Sequence, residues 1–159
     1  MIRPLREIKE EIRILGLDTC NPRLSVGVVA RGGLYLDGVI SFPPNRNNTM
    51  RECARRIVDS AYFPELRAVM LHNPNGERDS RSLERITGLP TIAISIGEPR
   101  HGRGYRVFRG NPGRLWVKTR VELTILKKIL TVSWIIGKLP EPLRVAHLLA
   151  SLDLPDMPG

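Results

Sequence analysis

Residues 12–41 read IRILGLDTCNPRLSVGVVARGGLYLDGVIS, and this stretch decides the fold. Its first segment is apolar almost throughout to Leu17, the pattern of a strand buried on both faces. Residues 24–30, LSVGVVA, make a second strand, and Arg31-Gly32-Gly33 a turn in which glycine is free to take positive φ. In 34–41 the sets Leu36/Gly38/Ile40 and Tyr35/Asp37/Val39 alternate across the pleat of a third strand. Three strands with two tight connections form an antiparallel meander. One acid, Asp18, falls where the first strand is expected to end.

The chain has 159 residues, the size of a single domain, enough to bury roughly two thirds of the surface its unfolded form exposes. Its hydrophobic fraction, 42%, is that of a globular protein, and no apolar run approaches the ~18 residues of a membrane span. The start, MIRPLREIKEEIR, is charged and lacks the hydrophobic core of a signal peptide. Cys20 and Cys53 have no metal-ligand spacing and read as two free thiols. A cytoplasmic protein without membrane contact is the expectation. Charge is the informative part of the composition. Segment 97–120 holds seven bases (Arg100, Arg103, Arg106, Arg109, Arg114, Lys118, Arg120) against one acid, Glu98, and so supplies six of the nine net positive charges. Concentration on one segment points to nucleic acid more specifically than a high pI alone.

Beyond the meander, residues 1–11 read as a charged lead-in, helical from Pro4. Pro43-Pro44 ends the third strand in an extended loop. Thr49 and Glu52 form a capping box for a helix whose stripe is Met50, Cys53, Ala54, Ile57, Val58 and Ala61. Residues 66–71 read as a buried strand, 80–87 as a short helix closed by Gly88, and 91–95 as a fifth strand. The order β-β-β-α-β-α-β predicts a meander extended by two parallel strands, with helices as crossovers. Segment 97–118, rich in Gly and Arg, reads as a basic insert, a loop or hairpin on the surface, outside the core. A second capping box, Thr119 to Glu122, predicts a long helix running to about Ile136 and stopped by Gly137. Leu139-Pro140-Glu141-Pro142 leads into a last helix with the stripe Val145, Leu148, Leu149 and Leu152, while Arg144, His147 and Ser151 share another face. Residues 153–159 read as a flexible tail. Nothing resembles a GxGxxG or Walker-type loop.

The stretches IRILGLD, GVVARGGLYLDGV, TGLPTIAI and above all GKLPEPLRVAHLLAS resemble an archaeal family known as domain of unknown function 99. That family is in turn similar to endonuclease V, a ribonuclease-H-like enzyme that cuts nucleic acid near inosine. The resemblance covers about residues 10–96 and 117–152. It implies an α/β fold, a ribonuclease-H-like mixed sheet of a three-strand meander plus two parallel strands flanked by helices. It also implies a metal site, and there this chain departs. Asp18 matches the first acid, but Thr19 stands at the second position. His72-Asn73 stands where an Asp-Gly pair is usual, and Ser41-Phe42-Pro43-Pro44 has no acid where endonuclease V has Glu. His147 matches a fourth acid on the last helix. The family's acidic, aliphatic stretch before the long helix has become the Gly/Arg segment.

Two-metal cleavage of a phosphodiester needs several hard oxygen ligands, and one carboxylate is left of the usual three or four. Asp18, His72 and His147 are therefore expected to be vestigial, with no resident metal, although such a set would suit a softer ion such as Zn²⁺ or Mn²⁺. Loss of acids together with gain of bases predicts a catalytically inactive protein that binds structured RNA, ribosomal RNA and ribosomal proteins being the narrower expectation. The predicted contacts are the seven bases of 97–120, with Tyr105, Phe108 and Trp116 as stacking faces. The opposing reading is a metal-dependent endonuclease using Mg²⁺ or Mn²⁺, with Asp37 or Asp79 reaching the site. A third is a module whose basic insert meets an acidic protein.

Overall fold

The computed structural model describes residues 2–5, 7–21, 23–42 and 49–152. The expected Pro43-Pro44 loop and the tail 153–159 lie outside the described residues. The strands are β1 (Arg13–Asn21), β2 (Leu24–Arg31), β3 (Tyr35–Phe42), β4 (Ala68–His72), β5 (Thr91–Ser95), β6 (Arg106–Arg109) and β7 (Arg114–Thr119). The helices are α1 (Met50–Val58), α2 (Ser80–Thr87), α3 (Leu123–Ser133) and α4 (Glu141–Ser151). They flank one mixed sheet of order β3-β2-β1-β4-β5-β7-β6. β1, β2 and β3 pair antiparallel, β1, β4 and β5 parallel, and β7 runs antiparallel to both β5 and β6.

Alternation along β1 builds two cores. Leu15 and Leu17 join Val69 and Leu71 of β4 under α1 and α2. Ile14 joins Met70, Ile92 and Ile94 under α3 and α4. Each of these side chains is fully buried, and each burial contributes roughly 1.5–3 kcal/mol. At the meander turn Gly32 has φ +58° and donates its amide to Ile12 O at 2.8 Å. On α1, Thr49 Oγ1 accepts the Glu52 amide, the N-cap half of the expected capping box, and Met50, Cys53, Ala54 and Ile57 of the expected stripe are buried. Ala61 lies beyond that helix and is exposed.

Several expectations need correction. β1 runs past Asp18 to Asn21, with an irregularity between those two residues, so Asp18 sits inside the strand rather than at its end. Residues 2–5 and 7–9 are not helical; the Arg3 amide instead bonds Gly88 O at 2.7 Å. Thr119 does not cap α3. It ends β7, donating its hydroxyl to Thr91 O at 2.9 Å, and α3 starts only at Leu123 and stops at Ser133, before Gly137.

Of the loop and the hairpin expected for the basic segment, the structure has a hairpin, β6–β7, and it does not lie outside the core. Leu115 and Val117 on β7 are buried in the α3/α4 core, so 114–119 belongs to the sheet and only its alternate residues look outward. On α4 the buried residues are Pro142, Leu143, Ala146 and Ala150, while Leu148 and Leu152 are about half exposed. The reason lies on β1. A Cβ at Gly16 would overlap the Pro142 carbonyl, so the helix rests directly on strand backbone. Only small residues fit such a contact, and Ala146 and Ala150 meet Val26 and Val28 beside it.

Candidate functional site

Close seating of α4 brings distant residues together. From Pro142 to His147 the helix rises ~7.5 Å, and from Gly16 to Asp18 the strand advances ~6.6 Å. His147 thus lands over Asp18, 129 residues away, with its Nδ1 at 2.9 Å from Asp18 Oδ2. Parallel register sets His72 directly beside Asp18 on the same face, and its Nδ1 lies 3.0 Å from the same oxygen. The other oxygen, Oδ1, accepts the Cys20 amide at 2.9 Å. The two imidazoles stand edge to face with centroids 5.1 Å apart.

Asp18 is fully buried, and His72 nearly so. Burial alone would raise the Asp18 pKa. Hydrogen bonds from His72, the Cys20 amide and His147 outweigh it and bring the pKa down to about 2. The carboxylate is therefore ionised at neutral pH and accepts from both imidazole N–H groups. Cys20 Sγ lies 3.5 Å from His72 Nδ1. Desolvation of the sulfur, and then the Asp18 charge, push this thiol up to about 12. Sulfur and carboxylate address one ring nitrogen, so His72 cannot pass a proton between them as a relay does. Cysteine nucleophile chemistry does not fit.

Beside the cluster a cleft of about 190 Å³ is lined by Thr19, Cys20, His72, Asn73, Glu77 and Arg78 among others. Asn73 is buried, donating to Tyr105 Oη at 2.9 Å and to Arg78 O at 3.2 Å, and it accepts the Arg78 amide at 3.1 Å. Glu77 and Arg78 escape a sequence reading because they lie on the turn after β4. Cys20 carried a usable signal: two residues after Asp18 on a strand, it shares that residue's face.

The two acids expected to reach the site are engaged elsewhere. Asp37 pairs with Arg13 at 3.1 Å and Arg31 at 2.9 Å. Asp79 caps α2, accepting the Ser82 amide at 3.1 Å and hydroxyl at 2.6 Å. Among the described residues, Asp18, His72 and His147 are the one group of three or more ligating side chains that converge, with one donor atom of each within 4.8 Å of the others.

Of the predicted contacts in 97–120, Arg100, Arg103, Arg106, Arg109, Arg114 and Arg120 are exposed and Lys118 is half-buried. Among the described residues none of the seven forms an ion pair. Phe108 and Trp116 are partly accessible. Tyr105 is a correction: it is buried at 8% exposure with its hydroxyl tied to Asn73, so its ring is no stacking platform.

Fold and site together define an α/β protein in which an inner strand, β1, presents one carboxylate to two imidazoles. By sequence the chain belongs to the UPF0215 family of archaeal proteins. It is 31% identical to the UPF0215 protein of Methanothermobacter thermautotrophicus, over 92% of this chain and 89% of that one. With the Methanopyrus kandleri member it shares 30% identity, over 92% of this chain and 93% of that one. No protein-family model matches. Among solved structures, a protein of unknown function from Archaeoglobus fulgidus superposes with TM-score 0.71 at 20% identity, over 88% of this chain and 96% of that chain. Marinitoga piezophila Argonaute in complex with guide RNA and target DNA gives TM-score 0.62 at 10% identity, over 92% of this chain and 30% of the Argonaute. These structural likenesses concern the fold. No described helix is long and apolar enough to cross a membrane.

Proposed function

We propose that this protein binds structured RNA without cleaving it, on a ribonuclease-H-like sheet related to that of endonuclease V. The observation that carries the reading is the β6–β7 hairpin with its approach. Leu115 and Val117 anchor it in the core, and Arg100, Arg103, Arg106, Arg109 and Arg114 stand exposed around it. A guanidinium pairs with phosphate in bidentate fashion, and a hairpin fixed in a sheet presents several at little ordering cost. Phe108 and Trp116 offer partial faces to bases. The single carboxylate fits the other half of the proposal. Mg²⁺ wants an oxygen cage, and one oxygen ligand flanked by two imidazoles does not supply it. Ribosomal RNA, with ribosomal proteins as neighbours, is the narrower form of the proposal.

The test is binding to a structured RNA followed by anisotropy across salt. Replacing Arg103, Arg106 and Arg109 together by Ala should flatten the log–log salt slope by about 2–3. Unchanged affinity and slope would refute the hairpin as the contact. In the same samples, RNA should survive Mg²⁺ or Mn²⁺; cleavage that disappears in Asp18→Ala would restore the endonuclease reading. Sedimentation of a native lysate at low and high salt tests the narrower form. Protein left at the top of the gradient in both refutes it.

A further inference from the structure

We infer that Asp18, His72 and His147 bind a single Zn²⁺ ion, with Cys20 as fourth donor, and that the ion fastens α4 to the sheet. This goes beyond RNA binding and stands independently of it. Both imidazoles direct Nδ1 at one oxygen, Asp18 Oδ2, at 3.0 and 2.9 Å. Those separations are close to the edges of a coordination polyhedron. With bonds of ~2.1 Å, neighbouring ligands lie about 3 Å apart at right angles and about 3.4 Å apart at tetrahedral angles. One ion can therefore take the place of the two Nδ1 protons, each imidazole then carrying its proton on Nε2 by exchange through solvent. His147, with 47% of its side chain exposed, has room to make the adjustment.

The donor set chooses the metal. Two imidazole nitrogens and one carboxylate oxygen suit a borderline ion and give Mg²⁺ only one hard ligand. Cys20 Sγ, 3.5 Å from His72 Nδ1, lies outside the converging group of three, so this exposed residue must swing inward for its thiol to complete a four-ligand zinc set. Zinc would take the sulfur as thiolate, releasing its proton to solvent. The neighbouring cleft, bordered by Cys20 and His72, opens beside the cluster and gives an ion a way in. The ligands come from the paired strands β1 and β4 and from α4, so the ion adds a link between the sheet and a helix otherwise held by packing and by the Asn21 Nδ2–Ala150 O hydrogen bond of 2.7 Å.

The test uses the full chain stripped with EDTA, then Zn²⁺ alone by calorimetry and Co²⁺ alone by absorption. One Zn²⁺ per chain is expected, with Mg²⁺ binding at least 100-fold weaker. His147→Gln, a half-exposed position that leaves the fold intact, should weaken Zn²⁺ at least tenfold. Zn²⁺ at about 100 times its dissociation constant should raise Tm by roughly 5–10 °C, and at the same Zn²⁺ concentration His147→Gln should cut that rise by about half or more. Co²⁺ should give a thiolate charge-transfer band that Cys20→Ser removes while binding persists at one ion per chain. No Zn²⁺ binding, equal binding in His147→Gln, or equal affinity for Mg²⁺ would overturn the site. A Co²⁺ spectrum unchanged by Cys20→Ser would overturn the fourth donor.

Discussion

Gly16→Ala is a one-methyl change with a defined consequence. Its Cβ would meet the Pro142 carbonyl well inside contact distance and Leu143 N at 2.8 Å. Backbone cannot rotate away as a flexible side chain does, so α4 must lift by roughly 1 Å to reach ordinary contact distance. Lifting the helix also carries His147 from 2.9 Å to beyond hydrogen-bond range of Asp18. Overpacking of this kind costs about 1–3 kcal/mol, and loss of a hydrogen bond to a charged group adds about 1 kcal/mol at a half-exposed imidazole. The sum, about 2–4 kcal/mol, lowers Tm by roughly 5–15 °C for a domain of this size. Thermal unfolding of metal-free protein by circular dichroism measures it. His147→Ala in the Gly16→Ala background should then cost at least 0.5 kcal/mol less than in the parent, as expected when two residues share one contact. A Gly16→Ala protein as stable as the parent, or strict additivity with His147→Ala, would refute the close seating of α4.

Acid should weaken the metal-free protein in a definite window. The Asp18 pKa is lowered from 3.8 to about 2, so the ionised form adds stability that is fully present above about pH 4 and lost as pH falls through about 2. That contribution is about 2 kcal/mol, and urea unfolding at stepped pH should find it missing from Asp18→Asn; an identical pH profile in the variant would contradict the assignment. On β7, Leu115→Ala removes a fully buried side chain and should cost about 2–5 kcal/mol by denaturant unfolding, whereas the triple Arg variant should stay within about 1 kcal/mol of the parent. A harmless Leu115→Ala would return the basic segment to the surface.

Much of the fold was legible because one signal dominated each element. The meander and the strands near β4 and β5 are short apolar runs between turn residues. α1 declares itself by Thr49, Glu52 and a stripe in phase. Where reading failed, a tertiary contact outweighed a local pattern. Thr119 to Glu122 is a good capping box by composition, yet the Thr119 hydroxyl is used in the sheet, on Thr91 O. β7 carried a period-two signal in Leu115 and Val117 that the surrounding arginines masked. On α4 the bulky leucines suggested the buried face, but proximity to Gly16 selects for smallness, which a hydrophobic stripe undervalues. The site was half legible. Asp18, His72 and His147 could be named from resemblance, but their convergence on one oxygen depends on register and helix seating, which no spacing along the chain encodes. The same blindness hid the pairing of Asp37 with Arg13 and the burial of Tyr105, whereas the capping of α2 by Asp79 is a local contact three residues long that the chain does encode.

The 129-residue separation of Asp18 and His147 also makes their contact a clock for folding. The meander holds Asp18 and needs only neighbouring residues, so it can form while most of the chain is still unstructured. Closing the loop from β1 to α4 carries a large entropic toll and waits until the intervening strands have shortened the path. A chain arrested before α4 docks would expose the small-residue seat on β1 and β2, Gly16 with Val26 and Val28, as an open apolar trough. In refolding followed by hydrogen exchange, protection of the α4 amides should then be the last to arrive.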